Sequence, residues 1–165
     1  MARKSVTITL YASELLYDVE NKTYLTGRSR QNGKNHEEVA NMQASEDEEN
    51  RNQILRSFGN ALGSLKTRLS EYLNLSETSS NDALLDGTKN ISISLQMPSN
   101  YNESTVDTIT SAAHQYFVNT AVGDWFAITN KADASDYISQ AAANIETLRE
   151  ALNKRVQPTY TKPTA

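Results

Sequence analysis

Two short segments of the chain alternate between apolar and polar residues. The first covers residues 5–10, and the second covers residues 91–97 and stops at Pro98. Alternation with a period of two is typical of a strand that has one buried face. Because a two-stranded ribbon is only marginally stable by itself, we expect these strands either to pair over a helix or to pair with strands of another chain.

Four longer segments repeat apolar residues every three or four positions, which predicts amphipathic helices. They cover residues 13–26, 46–73, 103–128 and about 133–155. The most regular seam belongs to the second helix and consists of Leu55, Phe58, Leu62, Leu65, Leu69 and Tyr72. The pattern therefore predicts a mainly α fold, with a four-helix bundle-like core and two short β-strands.

Residues with known preferences for helix ends mark where these helices should begin and stop. Ser13 and Ser45 are suited to cap the first two helices, and Asp133 or Ser135 is suited to cap the last one. Gly27 is suited to the position just past the end of the first helix.

Two stretches lack helical or strand periodicity. Residues 28–50 are polar and contain the turn signal Asn32–Gly33, so we expect a polar loop there. Residues 156–165 contain two prolines and no acid, which predicts an extended C-terminal arm. The arm is either a frayed tail or a segment that docks on a neighbour, and docking is favoured because the arm directly follows a strongly predicted helix and carries Tyr160. We expect the 165 residues to form a single helical domain that carries this loop and this arm.

Composition narrows the chemistry that the chain can perform. Cysteine is absent, which excludes disulfides, thiolate metal sites and a cysteine nucleophile. Of the two histidines, His36 lies in the polar loop, and His114 is interpreted as a residue at the core boundary with a hydrogen-bonded ring. The common phosphate-loop, dinucleotide, zinc-protease, serine-hydrolase and calcium-loop motifs do not occur. We therefore expect no enzymatic activity, no catalytic residue, no metal and no cofactor.

Charge is segregated along the chain, although the net charge is only −4. Residues 1–36 carry six Lys or Arg against three acids, whereas residues 37–50 carry six acids and no base. One interpretation is a solvated loop beside an acidic helix start, where acids interact favourably with the helix dipole. The other is a pair of complementary patches that meet across neighbouring copies of the protein.

Membranes and sequence-specific DNA are not expected partners. The basic N-terminal segment lacks the apolar core of a signal peptide, and no run approaches the roughly 20 apolar residues of a membrane span. No helix carries a dense face of Arg and Lys, as a DNA reader requires. The basic residues Arg28, Arg30 and Lys34 leave open weak, non-specific contact with phosphates.

The only tryptophan, Trp125, belongs to an aromatic cluster near one end of the bundle, together with Tyr116, Phe117 and Phe126. Such a cluster is either part of the core or an anchor for a partner, because Trp and Tyr dominate contact hot spots. Both interpretations stay open at the level of the sequence.

Six stretches of the sequence resemble small structural proteins of crAss-like tailed phages that infect Bacteroides. They are LYDVENKTYLTGRSR at 16–30, NHEEVANMQA at 35–44, LQMP at 95–98, HQYFVN at 114–119, DWFAITNKADASDY at 124–137 and ALNKR at 151–155. The likeness covers most of the chain and consists of packing and junction signatures rather than of a catalytic fingerprint.

The resemblance implies a non-enzymatic virion protein: a ring-forming subunit of the phage neck or tail that joins the portal to the tail. It implies a homo-oligomeric ring of about twelve copies, closed by a head-to-tail interface. The portal, neighbouring tail or ring proteins and non-specific contact with DNA in the channel complete the implied partners. The implied location is the virion, after assembly in the cytoplasm of the bacterial host.

The residues expected to meet neighbouring subunits come from the polar loop, the acidic run, the aromatic cluster and the arm. They are Arg28, Arg30, Lys34, Glu46, Asp47, Glu48, Trp125, Pro158, Tyr160 and Lys162. The alternative function is a small helical binding module or regulator that touches nucleic acid through the basic loop.

Overall fold

A computed structural model describes residues 2–74, 80–161 and 163–164. The two strands are β1 (Lys4–Tyr11) and β2 (Asn90–Met97). In the described part of the chain the α-helices are α1 (Ala12–Ser29), α2 (His36–Met42), α3 (Glu48–Arg68), α4 (Val106–Thr129) and α5 (Lys131–Leu152), and a single 3-10 turn, Glu103–Thr105, precedes α4. The predicted mainly α fold with two short strands is confirmed.

The two strands pair with each other in antiparallel register, from Lys4 opposite Met97 to Tyr11 opposite Asn90. The face that the sheet turns toward the helices is apolar and buried. Its side chains are Val6, Ile8, Leu10, Ile91, Ile93, Leu95 and Met97. Of the two expectations for the strands, pairing over a helix is therefore the one that the structure adopts.

Helix α4 lies at the centre of the fold and packs against α5, α3, α1 and β1. Because neighbours surround it, apolar side chains cover most of its circumference, and Phe117 and Phe126 are fully buried. Phe117 packs against Phe58 of α3 with ring centroids 6.1 Å apart. At Gly123, α5 approaches so closely that an added Cβ would lie 3.1 Å from Cγ1 of Ile138.

The prediction of a continuous polar loop over residues 28–50 is wrong, because α1 extends to Ser29 and α2 forms inside the segment. Helix α2 has seven residues and buries Val39 and Met42 against the rest of the fold. A segment with so few apolar positions gives little periodicity, and its helix is stabilised mainly by tertiary contacts.

Gly27 lies inside α1 and not past its end, so its predicted role in helix termination is wrong. It is buried, and a Cβ built on it would lie 3.2 Å from the backbone oxygen of Val39. The absent side chain therefore allows α2 to lie directly on α1.

The N-caps predicted for the first, second and last helices are also wrong, since α1, α3 and α5 begin after Tyr11, Asp47 and Asn130. Helix α1 follows β1 without a loop, which places Ser13 inside the first helical turn. The Ser45 hydroxyl donates to the Asp47 carboxylate at 2.6 Å instead of capping a helix.

The last helix ends beside the sheet, and the C-terminal arm starts there. Arg155 forms an isolated antiparallel bridge with Tyr101, which follows β2 by four residues. The backbone N–H of Val156 donates to the carbonyl of Asn100 at 2.9 Å. Among the described residues, no helix is long and apolar enough to cross a membrane.

Candidate functional site

The basic residues singled out in the sequence surround a tight turn between α1 and α2. Gly33 has a φ of 82°, a left-handed conformation that favours glycine. The side chain of Asn35 holds the turn from both sides, since its amide donates to the Arg30 carbonyl at 2.8 Å and its oxygen accepts from the N–H of Asn32 at 2.9 Å. The Asn32–Gly33 turn prediction is therefore confirmed.

Arg30 forms an ion pair with a carboxylate of its own chain. Its guanidinium donates through Nε to Oδ2 of Asp133 at 3.1 Å and through Nη2 to Oδ1 of the same carboxylate. Asp133 is buried and also accepts a hydrogen bond from the side chain of Asn130. The hydrogen bond from Arg30 is the largest cause that holds the pKa of Asp133 below its ordinary value of 3.8. Arg30 thus joins the turn after α1 to the start of α5.

Arg28 and Lys34 are exposed, and so are the acidic candidates Glu46, Asp47 and Glu48. The acids lie immediately before and within the first turn of α3, where their charge complements the positive end of the helix dipole. Both charge patches of the sequence analysis are therefore present on the surface.

Trp125 is 9% exposed and lies in the core. Its indole Nε1–H donates to the backbone carbonyl of Met42 at 2.8 Å. Met42 is the last residue of α2, so this hydrogen bond fixes α2 to α4. Of the two interpretations of Trp125, the structure supports the core residue.

The arm candidates lie on the surface. Pro158 and Tyr160 are exposed, and Tyr160 is 98% exposed. The backbone from Gln157 to Thr161 makes no hydrogen bond to another described residue. Lys162 lies outside the described residues.

A polar network between α1, α4 and α5 was not predicted as a unit. The Lys22 ammonium donates to the side-chain oxygens of Asn119 at 2.9 Å and of Gln115 at 3.3 Å. Asn119 in turn donates to Asn144 of α5 at 2.7 Å. Burial lowers the pKa of Lys22, and the nearby carboxylate of Asp18 partly opposes this shift. Sequence periodicity missed the network because Asn119 replaces an apolar residue on a buried helix face.

His114 has the hydrogen-bonded ring that the sequence suggested. Its Nε2 lies 2.6 Å from Oδ2 of Asp18, and both side chains are partly exposed. A carboxylate in this position fixes the ring orientation and its tautomer. Within the described residues, no three His, Cys, Asp or Glu side chains are arranged to hold a metal ion.

Glu20 and Arg51 form a second pair that the sequence did not reveal. Their charged atoms are 3.8 Å apart across α1 and α3, beside an open cleft of about 440 Å³. Glu20 Oε1 and Arg51 Nε are buried without a hydrogen bond to another described group. Burial raises the pKa of Glu20, which Arg51 partly offsets, while the carboxylate of Glu46 raises it further.

Comparisons of the chain with protein-family models, with curated proteins and with solved structures find no match. The surfaces of the molecule are therefore the basis on which a function is inferred. Of the ten candidates, Arg30 and Trp125 bind residues that are distant in the chain. Seven others are exposed in the described structure, namely Arg28, Lys34, Glu46, Asp47, Glu48, Pro158 and Tyr160.

Proposed function

We propose that this chain is a ring-forming structural subunit of the neck or tail of a tailed phage, where it joins the portal to the tail. The observation that carries the proposal is the exposed arm, which leaves the body after Val156 and has its tyrosine 98% exposed. An exposed aromatic side chain on an extended segment is suited to bind a neighbouring surface. The phage-like stretches of the sequence support the same function.

The distribution of unlike surfaces also favours a head-to-tail assembly. A closed ring needs an interface whose two sides differ, because each subunit presents one side to the copy before it and another to the copy after it. The chain offers an arm, exposed cations at Arg28 and Lys34, and exposed acids at residues 46–49. Complementary charge of this kind sets the register of partners more than the strength of their association.

The α2 segment and the α4–α5 junction, two of the phage-like stretches, contact each other in the fold. Trp125 of the junction binds the end of α2, and Asp133 binds Arg30 before α2. The resemblance thus falls on residues that shape a common region of the molecule. Nucleic-acid binding through the basic loop is less favoured, because Arg30 is engaged by Asp133.

The test is the size of the purified full-length chain, alone and mixed with a candidate portal protein. We expect a species of about twelve copies, or co-migration with the portal ring. A chain that stays monomeric under both conditions, over the whole accessible concentration range, contradicts the proposal. Negative-stain images of the assembled species provide the copy number.

A charge-reversed variant tests whether the basic patch contributes to the assembly. Arg28→Glu with Lys34→Glu places negative charge opposite the acidic patch of a neighbour, so we expect weaker assembly. The matched control is Lys66→Glu with Arg68→Glu, which reverses two exposed cations of the last turn of α3. Equal loss of assembly in both variants would contradict a specific role for the basic patch.

A further inference from the structure

The two edges of the β-sheet differ. On the outer edge of β2, the N–H of Gln96 donates to the carbonyl of Tyr72 at 2.6 Å, and the N–H of Asn74 donates to the carbonyl of Ser94 at 3.1 Å. The segment after α3 therefore covers this edge. The other edge of the sheet belongs to β1, because the sheet has only these two strands in the described chain.

The register shows which backbone groups β1 presents on its outer edge. Ser94 and Gln96 use their backbone groups away from β1, and they lie opposite Thr7 and Ser5. In an antiparallel pair, opposite residues direct their N–H and C=O groups either both toward or both away from the partner strand. The backbone N–H and C=O groups of Ser5 and Thr7 therefore point away from β2. Those of Thr9, two residues further on, do the same.

This outer edge of β1 is open in the described structure. No backbone group of Ser5, Thr7 or Thr9 hydrogen-bonds to a described residue outside the β1–β2 ladder. Exposed edges are normally protected by a charge, a proline, a bulge or a short length. From Ser5 to Tyr11 the strand has none of the first three, and its eight-residue register is continuous. The edge is thus competent to accept a further strand.

The arm has the chemistry of such a strand. Residues 157–161, QPTYT, are uncharged and contain Thr and Tyr, which favour strands. Pro158 lacks an N–H, which an edge strand tolerates because one row of its backbone groups faces solvent. The outward face of β1 carries Ser5, Thr7, Thr9 and Tyr11, so hydroxyl and aromatic cross-strand pairs are available.

The arm also starts close to this sheet. Arg155 bridges Tyr101, and the Lys4 ammonium at the start of β1 donates to the Tyr101 carbonyl at 3.0 Å. The arm nevertheless does not occupy the edge of its own chain, since Tyr160 is 98% exposed. Both the edge and the arm are therefore available to a second copy.

We propose that the open edge of β1 accepts residues 157–161 from the arm of the adjacent copy, which adds a third strand to the sheet. The proposal rests on the proposed function, because an arm on one side of a subunit and an acceptor edge on the other form a head-to-tail contact. Main-chain hydrogen bonds supply the affinity in this mode, and the side chains of the arm supply the register.

The cysteine-free chain permits a direct cross-linking test. Thr7→Cys and Tyr160→Cys are introduced into separate copies that carry tags of different size. We expect a mixed disulfide between the two copies under mild oxidation. The control pairs Tyr160→Cys with Gln140→Cys, an exposed position on α5, and should give at least ten-fold less product.

Three cross-linking results would overturn the proposal. The first is equal product from the Thr7→Cys and Gln140→Cys copies. The second is a disulfide within one chain when both cysteines are placed in the same copy, which would show that the arm binds its own edge. The third is efficient dimerisation of Thr7→Cys alone, which would show two β1 edges paired around a two-fold axis.

A second experiment does not require assembly. A peptide of residues 157–165 is added to a chain that ends at Val156, and amide exchange is followed by NMR. We expect the amides of Thr7 and Thr9 to exchange at least ten-fold more slowly with peptide, while the amide of Ile8, already in the ladder, stays unchanged. Thr7→Pro removes the outward N–H and should abolish the protection, whereas Thr7→Val should retain it.

The two proposals fail in different ways. Suppose that the chain ending at Val156 still forms rings and that the peptide does not slow amide exchange in β1. This result would overturn the arm exchange and leave the ring function intact. A monomer that never joins a portal would overturn the ring function, and the peptide experiment would still decide whether β1 accepts the arm.

Discussion

Asp133 is the residue at which three parts of the chain meet. Its buried carboxylate accepts from Arg30 of the turn after α1 and from Asn130 at the junction of α4 and α5. Neither contact is visible in the sequence, where Asp133 is a candidate for an ordinary helix cap. A burial of this kind is favourable only while each oxygen keeps its donors.

Replacement of Asp133 by asparagine should change how stability depends on pH. Because the folded state lowers the pKa of Asp133 below 3.8, its stabilising contribution is complete at neutral pH. The contribution is lost as the pH falls through the folded-state pKa. We expect Asp133→Asn to lower the free energy of unfolding by a constant amount above about pH 5 and to converge with the parent chain in acid.

Urea unfolding between pH 2 and pH 7 measures this difference. Asp136→Asn is the control, since Asp136 is exposed on the same helix and acts on Arg30 through its charge alone, without a hydrogen bond. If Asp133→Asn and the parent chain keep a constant difference down to the lowest pH, the carboxylate does not supply the stabilisation.

The indole of Trp125 provides a second test at the residue scale. Trp125→Phe removes the indole N–H that donates to the Met42 carbonyl. Because the buried carbonyl oxygen then lacks this hydrogen bond, the free energy of unfolding should fall by about 1–3 kcal/mol. Since Met42 ends α2, we expect the amides of α2 to lose more protection from exchange than those of α3. Tyr116→Phe, which removes a hydrogen bond to Ser64, is the control and should leave α2 unchanged. If the amides of α2 exchange equally fast in the Trp125→Phe and Tyr116→Phe variants, Trp125 does not hold α2 in place.

At the scale of elements, strong periodicity was a reliable guide. The 91–97 strand and the seam from Leu55 to Leu65 both appear in the structure, as β2 and α3, because many apolar residues lie on one face. The helix predicted over 46–73 nevertheless ends at Arg68, because the backbone of Tyr72 and Asn74 pairs with β2 instead. Helix α2 could not be predicted, since it depends on Val39, Met42 and contacts from distant residues. For the candidate site, the polar composition of residues 28–50 and of the C-terminal arm correctly predicts that Arg28, Lys34 and Tyr160 are exposed.

Helix ends were less predictable for a related reason. Ser13 is a good N-cap by its chemistry, yet α1 starts directly after β1 because the sheet fixes where the strand stops. Gly27 is a good terminator, yet the helix continues because α2 needs the space that a side chain would fill. Tertiary packing thus outweighs preferences of about 1 kcal/mol.

Two other glycines should respond differently from Gly27. Gly59 and Gly63 lie inside α3, and a Cβ built on either has no heavy atom within 4 Å. We expect Gly59→Ala and Gly63→Ala each to stabilise the chain by about 0.5–1 kcal/mol, through helix propensity alone. Gly27→Ala gains the same propensity but crowds the Val39 carbonyl, so its net effect should be less favourable. Thermal unfolding measures the stability of all three variants. If Gly27→Ala stabilises the chain as much as the other two, α2 moves away from α1 without a cost in free energy.

At the scale of the whole molecule, stability depends on α4. Nearly all of the described buried apolar side chains form one cluster, and Phe117 of α4 is fully buried within it. Phe117→Ala should therefore cost about 3–5 kcal/mol of unfolding free energy. Ile128→Ala is the control, because Ile128 on the same helix is 68% exposed and should change stability by less than about 0.5 kcal/mol. Denaturant unfolding that gives similar losses for both variants would contradict a core organised around α4.

The pairing of β1 with β2 joins residues that are far apart in the chain. Lys4–Tyr11 must find Asn90–Met97. During translation at about 5–20 residues per second, the first strand therefore emerges from the ribosome several seconds before its partner exists. During that interval neither edge of β1 has a partner strand. A polysome holds many such chains close together, so this protein is most vulnerable to premature association there.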